Sequence, residues 1–131
     1  MLIKTLSAVT VIALGIGLSG CSGFKANSED CSSIMAYIKE VNALVDATNA
    51  GISDSSYRRA GANLWSEKLD ELGREVVPRE PELRDALADW VATSRAAANA
   101  MKPNKLDSEA INQAVDAFQN ANSTLGSMCS P

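Results

Sequence analysis

Ile34-Met35-Ala36-Tyr37-Ile38-Lys39-Glu40-Val41-Asn42-Ala43-Leu44-Val45 carries Ile34, Ile38, Val41 and Val45 at successive steps of four, three and four residues. That repeat is one face of an α-helix and not the alternation of a strand. Tyr37, Leu44 and Thr48 flank the stripe, whereas Lys39, Glu40 and Asp46 point away from it. The helical period begins at Asp30. It is predicted to end at Asn49-Ala50-Gly51, where glycine is free to take a left-handed cap.

The same pattern recurs three times downstream. Ser53 or Asp54 offers an N-cap for a second helix, with Tyr57, Gly61, Leu64, Trp65, Leu69 and Leu72 at helical spacing up to about Glu75. Val76-Val77-Pro78 breaks it, because proline disfavours a helical residue before it. Pro81 suits the first turn of a third helix, where Glu80, Glu82 and Asp85 complement the positive helix end. Its stripe is Leu83, Leu87, Trp90, Val91, Ser94, Ala98 and Met101, and Lys102-Pro103-Asn104 stops it. Asp107 caps a fourth helix lined by Ile111, Ala114, Val115, Phe118, Leu125 and Cys129.

Four helices of similar length with short breaks predict an all-α, up-down-up-down four-helix bundle. An up-up-down-down order would need long crossovers, and these breaks are too short for them. No stretch alternates as a strand does, and no internal repeat is present.

The start of the chain reads differently. One lysine, Lys4, precedes an apolar run from Leu6 to Leu18 that is too short to span a bilayer comfortably and has the size of a secretory signal core. It ends in Leu18-Ser19-Gly20-Cys21, which resembles the lipobox of bacterial lipoproteins. The resemblance covers the first 21 residues alone. It implies a signal peptide over 1–20, lipid attachment at Cys21, a tether over 21–29 containing Phe24, and a bundle domain over 30–131. The chain would then sit on the extracytoplasmic side of a cell membrane, anchored but not spanning. The rival is an ordinary signal cleaved nearby, which leaves Cys21 free or paired.

Removal of the signal leaves 111 residues, enough for one domain, with 11 basic against 16 acidic side chains. A net charge of −5 argues against nucleic acid as a partner and against a polybasic patch assisting the anchor. If Cys21 carries lipid, Cys31 and Cys129 remain, an even number in an oxidising compartment, and they are expected to form a disulfide. Free-thiol catalysis would want a basic neighbour such as histidine, and the chain has none. In an antiparallel bundle the start of the first helix and the end of the fourth share a pole, so the pairing and the topology agree. That pole, with the turn around Pro78, would face the membrane and carry mostly acids: Glu29, Asp30, Asp70, Glu71, Glu75, Glu80 and Glu82 against Lys25, Arg74 and Arg79. The far pole brings Arg58, Arg59, Lys102 and Lys105 near Asp54, Asp107 and Glu109.

Catalytic motifs are absent from the letters. Di-metal bundles use Glu-x-x-His pairs, and without histidine no such site is expected. There is no Gly-x-Ser-x-Gly turn, no phosphate loop and no Cys-x-x-Cys, so no enzyme, catalytic residue, cofactor or metal is assigned. Trp65 and Trp90 are expected in the core, their rival role being surface anchors for a partner. One surface stands out by composition. Val91 to Met101 contains only Arg95 as a charge, and Ala110 to Pro131 only Asp116. Asn99 and Gln113 mark this neutral face of the third and fourth helices as the candidate contact for an envelope protein. The bland alternative is close packing of those helices through alanine. The sequence therefore reads as a non-enzymatic, lipid-anchored bundle that binds another envelope protein. A carrier of an apolar or lipid ligand between the helices, or an inhibitory or exclusion lipoprotein, are the alternatives.

Overall fold

The stripe at Ile34, Ile38, Val41 and Val45 is the buried face of helix α1, Ser28–Ala50, each member at most 3% exposed. A computed structural model of the protein describes residues 28–129, and the fold continues through α2 (Ser55–Glu75), α3 (Pro81–Ala100) and α4 (Ser108–Cys129). No strand occurs among the described residues. Helix α1 starts at Ser28, two residues ahead of the expected Asp30. The signal segment, Cys21, Phe24 and Lys25 lie outside the described residues.

The α1–α2 turn departs from the expected glycine cap. No described glycine has a positive φ. The chain instead turns through hydrogen bonds from Gly51 N to Ala47 O (3.3 Å), Ile52 N to Asn49 O (3.2 Å) and Asp54 N to Gly51 O (3.0 Å). Glycine at 51 leaves room for the Tyr57 ring, which a Cβ there would displace. Of the two candidate caps, Asp54 does the work: its Oδ1 accepts from Ser56 N at 3.0 Å and Tyr57 N at 3.2 Å. Such a cap contributes about 1 kcal/mol.

On α2 the buried row is Arg58, Gly61, Ala62, Trp65, Leu69 and Leu72. Tyr57 and Leu64, expected in the stripe, are 54% and 53% exposed. Each sits one residue before a buried position, about 100° round the helix, and the space facing the core goes to Arg58 and Trp65 instead. Gly61 permits close approach of α1 and α2, since a Cβ at that position would lie 2.6 Å from Thr48 Oγ1 and 3.2 Å from Thr48 Cα.

Pro81 occupies the first turn of α3, as its fixed φ favours. Val91 is only half-buried, while Ala86 and Ala97 join the core beside the expected residues. On α4, Asp107 Oδ1 accepts from Glu109 N (3.0 Å) and Ala110 N (3.3 Å). Ala114 and Cys129 are half-buried there, and Ala121, Asn122 and Gly126 are buried beyond the stripe read from sequence.

Each helix packs on its neighbour in the chain, α1 on α2, α2 on α3 and α3 on α4. A disulfide from Cys31 to Cys129, with Cα atoms 5.4 Å apart, joins the start of α1 to the end of α4. The α2–α3 turn lies at the same pole, where Arg79 N donates to Asp30 Oδ2 at 3.1 Å. The protein is thus the expected up-down-up-down bundle closed by a disulfide. Trp65 is fully buried and Trp90 is 1% exposed, with Phe118 edge-on to Trp90 at a ring separation of 5.5 Å. Both tryptophans belong to the core.

Candidate interaction surfaces

At the pole opposite the disulfide, Arg58 is 3% exposed although the chain places it among surface charges. Its partners are carbonyls and not the acids expected nearby. Nε donates to Met101 O at 2.8 Å, Nη1 to Ile52 O at 2.6 Å, and Nη2 to Pro103 O at 2.5 Å and Asn104 O at 3.1 Å. The planar fork of the guanidinium matches several acceptors at once, so one side chain clamps the α1–α2 turn to the α3–α4 connection. Arg59 adds Nε to Lys102 O at 3.2 Å and a contact to Asn104. Replacing Arg58 with methionine keeps the apolar stem and removes every donor. The expected cost is about 2–3 kcal/mol, since hydrogen bonds from charged donors are the stronger kind, read as a lower urea midpoint with an unchanged m-value.

The disulfide pole is mixed in charge. Arg79 lies 3.5 Å from Glu29 and 3.9 Å from Asp30. Along the sides, Lys68 reaches Glu71 at 2.8 Å and Glu40 at 3.5 Å, and Arg95 meets Asp70 at 2.7 Å. The hydrogen bond that the Lys68 ammonium donates to the Glu71 carboxylate holds its pKa above the ordinary value, with partial desolvation opposing. Exposed pairs of this kind stabilise little.

Among the residues singled out from sequence, Cys31 and Cys129 are joined, and Cys21 lies outside the described region. Asn99 and Gln113 are both exposed, on the packed pair α3 and α4. Around them the exposed positions Ala92, Ala96, Ala110, Ala117 and Asn120 add no charge, and the exposed Glu109 and Asp116 flank Gln113 one turn away on either side. The described residues contain no group of His, Cys, Asp and Glu suited to a metal ion, and none of their helices is long and apolar enough to cross a membrane.

Sequence reasoning missed three features. The indole N–H of Trp65 donates to Ser94 Oγ at 2.9 Å, and that of Trp90 to Asn122 Oδ1 at 3.1 Å. A polar residue inside an apolar stripe, as Ser94 is, was the available signal. Arg58 was the second, its burial visible only from its position in phase with Trp65 and Leu69. The third is an open groove of about 390 Å³ between α2 and α3, walled by Val76, Val77 and Pro78 of the turn and by Leu87 and Val91 of α3, with Arg84 and Arg95 on its rim. A second concavity, about 540 Å³ beside Leu44 and Leu64, has charged walls in Glu67, Lys68, Asp70, Glu71 and Arg74.

Comparison with curated proteins and with solved structures gives no match. A family model for the Rv2240c four-helix bundle domain matches residues 22–130, which include all four helices. The helix count agrees with that description, and the chain belongs to the Rv2240c four-helix bundle domain family.

Proposed function

We propose that this protein is a lipid-anchored, non-enzymatic bundle of the bacterial cell envelope that acts by binding another envelope protein. The observation that carries the reading is the exposed surface of small, mostly neutral side chains that holds Asn99 and Gln113 on α3 and α4, bordered by Glu109 and Asp116. Small neutral side chains allow close approach and carry no charge to be desolvated on contact. The anchor rests on Leu18-Ser19-Gly20-Cys21. A tether over 22–27 reaches about 20 Å when extended, enough to hold the disulfide pole near the bilayer and present the neutral face to a neighbour.

An inhibitory or exclusion lipoprotein would differ in its partner and not in its chemistry. A carrier with its ligand between the helices has less support, because Trp65, Trp90, Phe118 and Met101 occupy that interior.

Two measurements test the reading. Cys21→Ser should abolish lipid labelling; a lipid-free mature terminus in the unaltered protein refutes the anchor. Asn99→Glu and Gln113→Glu should leave stability within about 0.5 kcal/mol, as surface changes do, while capture of the envelope partner from native membranes falls. Unchanged capture by both variants, with charge changes at Arg59 or Glu82 disrupting it instead, moves the interface to a pole.

A further inference from the structure

The groove between α2 and α3 is used by neither the anchor nor the neutral face. Its volume, about 390 Å³, lies in the range of small-ligand sites. Its walls are largely apolar, and Val77, at 64% exposure, presents an uncovered aliphatic side chain to it. Arg84 and Arg95 on its rim are 11 residues apart on one helix, which spans roughly 16 Å at the α-helical rise. The site is thus elongated along α3.

Its two cations are not equivalent. Arg95 is engaged by Asp70 at 2.7 Å. Arg84 makes a long hydrogen bond of 3.4 Å to Pro78 O, and among the described residues no carboxylate pairs with it. It stands one turn into α3, toward the positive end of that helix. An apolar strip with one uncompensated guanidinium at its end complements a molecule with one apolar chain and one anionic head.

We propose that this groove binds a long-chain fatty acid, its carboxylate on Arg84 and its chain lying along Val77, Leu87 and Val91 toward Arg95. A single strip covers a single chain; a two-chain lipid would leave its second tail in water. A docked partner helix, about 10 Å across, is too wide for a groove of about 390 Å³ drawn out along that length. The proposal stands apart from partner binding at Asn99 and Gln113, so either can fail alone.

The test uses the purified full chain and a photoactivatable palmitate analogue, with adducts mapped by mass spectrometry. Adducts are expected on the segment 76–95. Ala88→Trp places a ring in the groove from an exposed position and should lower adduct yield about tenfold, while partner capture stays unchanged. Arg84→Gln should weaken palmitate binding about tenfold, as loss of a charge-assisted hydrogen bond does, and leave binding of the methyl ester as it was. Adducts confined to 1–27 or scattered over the surface would overturn the proposal, as would equal affinity of Ala88→Trp and the unaltered chain. A polypeptide crosslinked to 76–95 in place of the lipid would also overturn it.

Discussion

Replacing Cys31 and Cys129 together with alanine is expected to lower stability by about 4–5 kcal/mol. The bond closes a loop of 98 residues, and in the chain-entropy account a loop of that size restricts the unfolded ensemble by about this much. For a domain of roughly 100 residues the melting temperature should fall by about 20 °C or more. Helical content at low temperature should stay the same, because the stripes on α1 to α4 remain buried against one another. Reductant added to the unaltered protein should reproduce the shift and have no effect on the double variant. A melting temperature unchanged by both treatments would mean that α1 and α4 are held together without the bond, and that the loop-closure account fails here.

Trp90→Ala should cost about 3–5 kcal/mol, the range for truncation of a buried large aromatic. The ring is 1% exposed, lies edge-on to Phe118 at 5.5 Å, and donates its N–H to Asn122 at 3.1 Å. Alanine leaves a cavity and removes the indole donor from Asn122, two separate penalties. Trp90→Phe keeps most of the apolar area and removes only the donor, so its cost should be nearer 1–2 kcal/mol. Guanidinium midpoints measure each step. If alanine and phenylalanine cost the same, the hydrogen bond dominates and the packing contribution has been overstated.

The fold was legible where a periodic pattern and a local stop signal coincided. Ile34 to Val45 shows its helix at a glance, and Asp54, Pro81 and Asp107 mark helix starts through chemistry confined to a few residues. Gly51 was harder. Its neighbours call for a helix end there, but whether glycine is kept for its φ or for its lack of a side chain depends on where the Tyr57 ring lies. Tyr57 and Leu64 were misplaced for a related reason. A stripe read from letters has an edge of about one residue, and the partner helix decides which side of that edge faces inward.

The interaction surfaces divide in the same way. Neutrality of the outer face of α3 and α4 is a property of composition, so Asn99 and Gln113 could be placed without coordinates. The Arg58 clamp and the α2–α3 groove could not, since each joins residues far apart in the chain: Arg58 to Met101, Pro103 and Asn104, and Val77 to Arg95.

The sequence by itself determined the helical class, the four segments and their antiparallel order, and with them the shared pole of Cys31 and Cys129. Helical period, capping and loop length are short-range, and the antiparallel order they imply brings Cys31 and Cys129 to one pole, so that pairing follows once Cys21 is set aside as the expected lipid site. Only the tertiary structure decided which polar groups enter the core. Burial of Arg58, Ser94 and Asn122 becomes tolerable when a carbonyl or an indole N–H from another helix stands within hydrogen-bonding distance, and that distance exists only once the helices have packed.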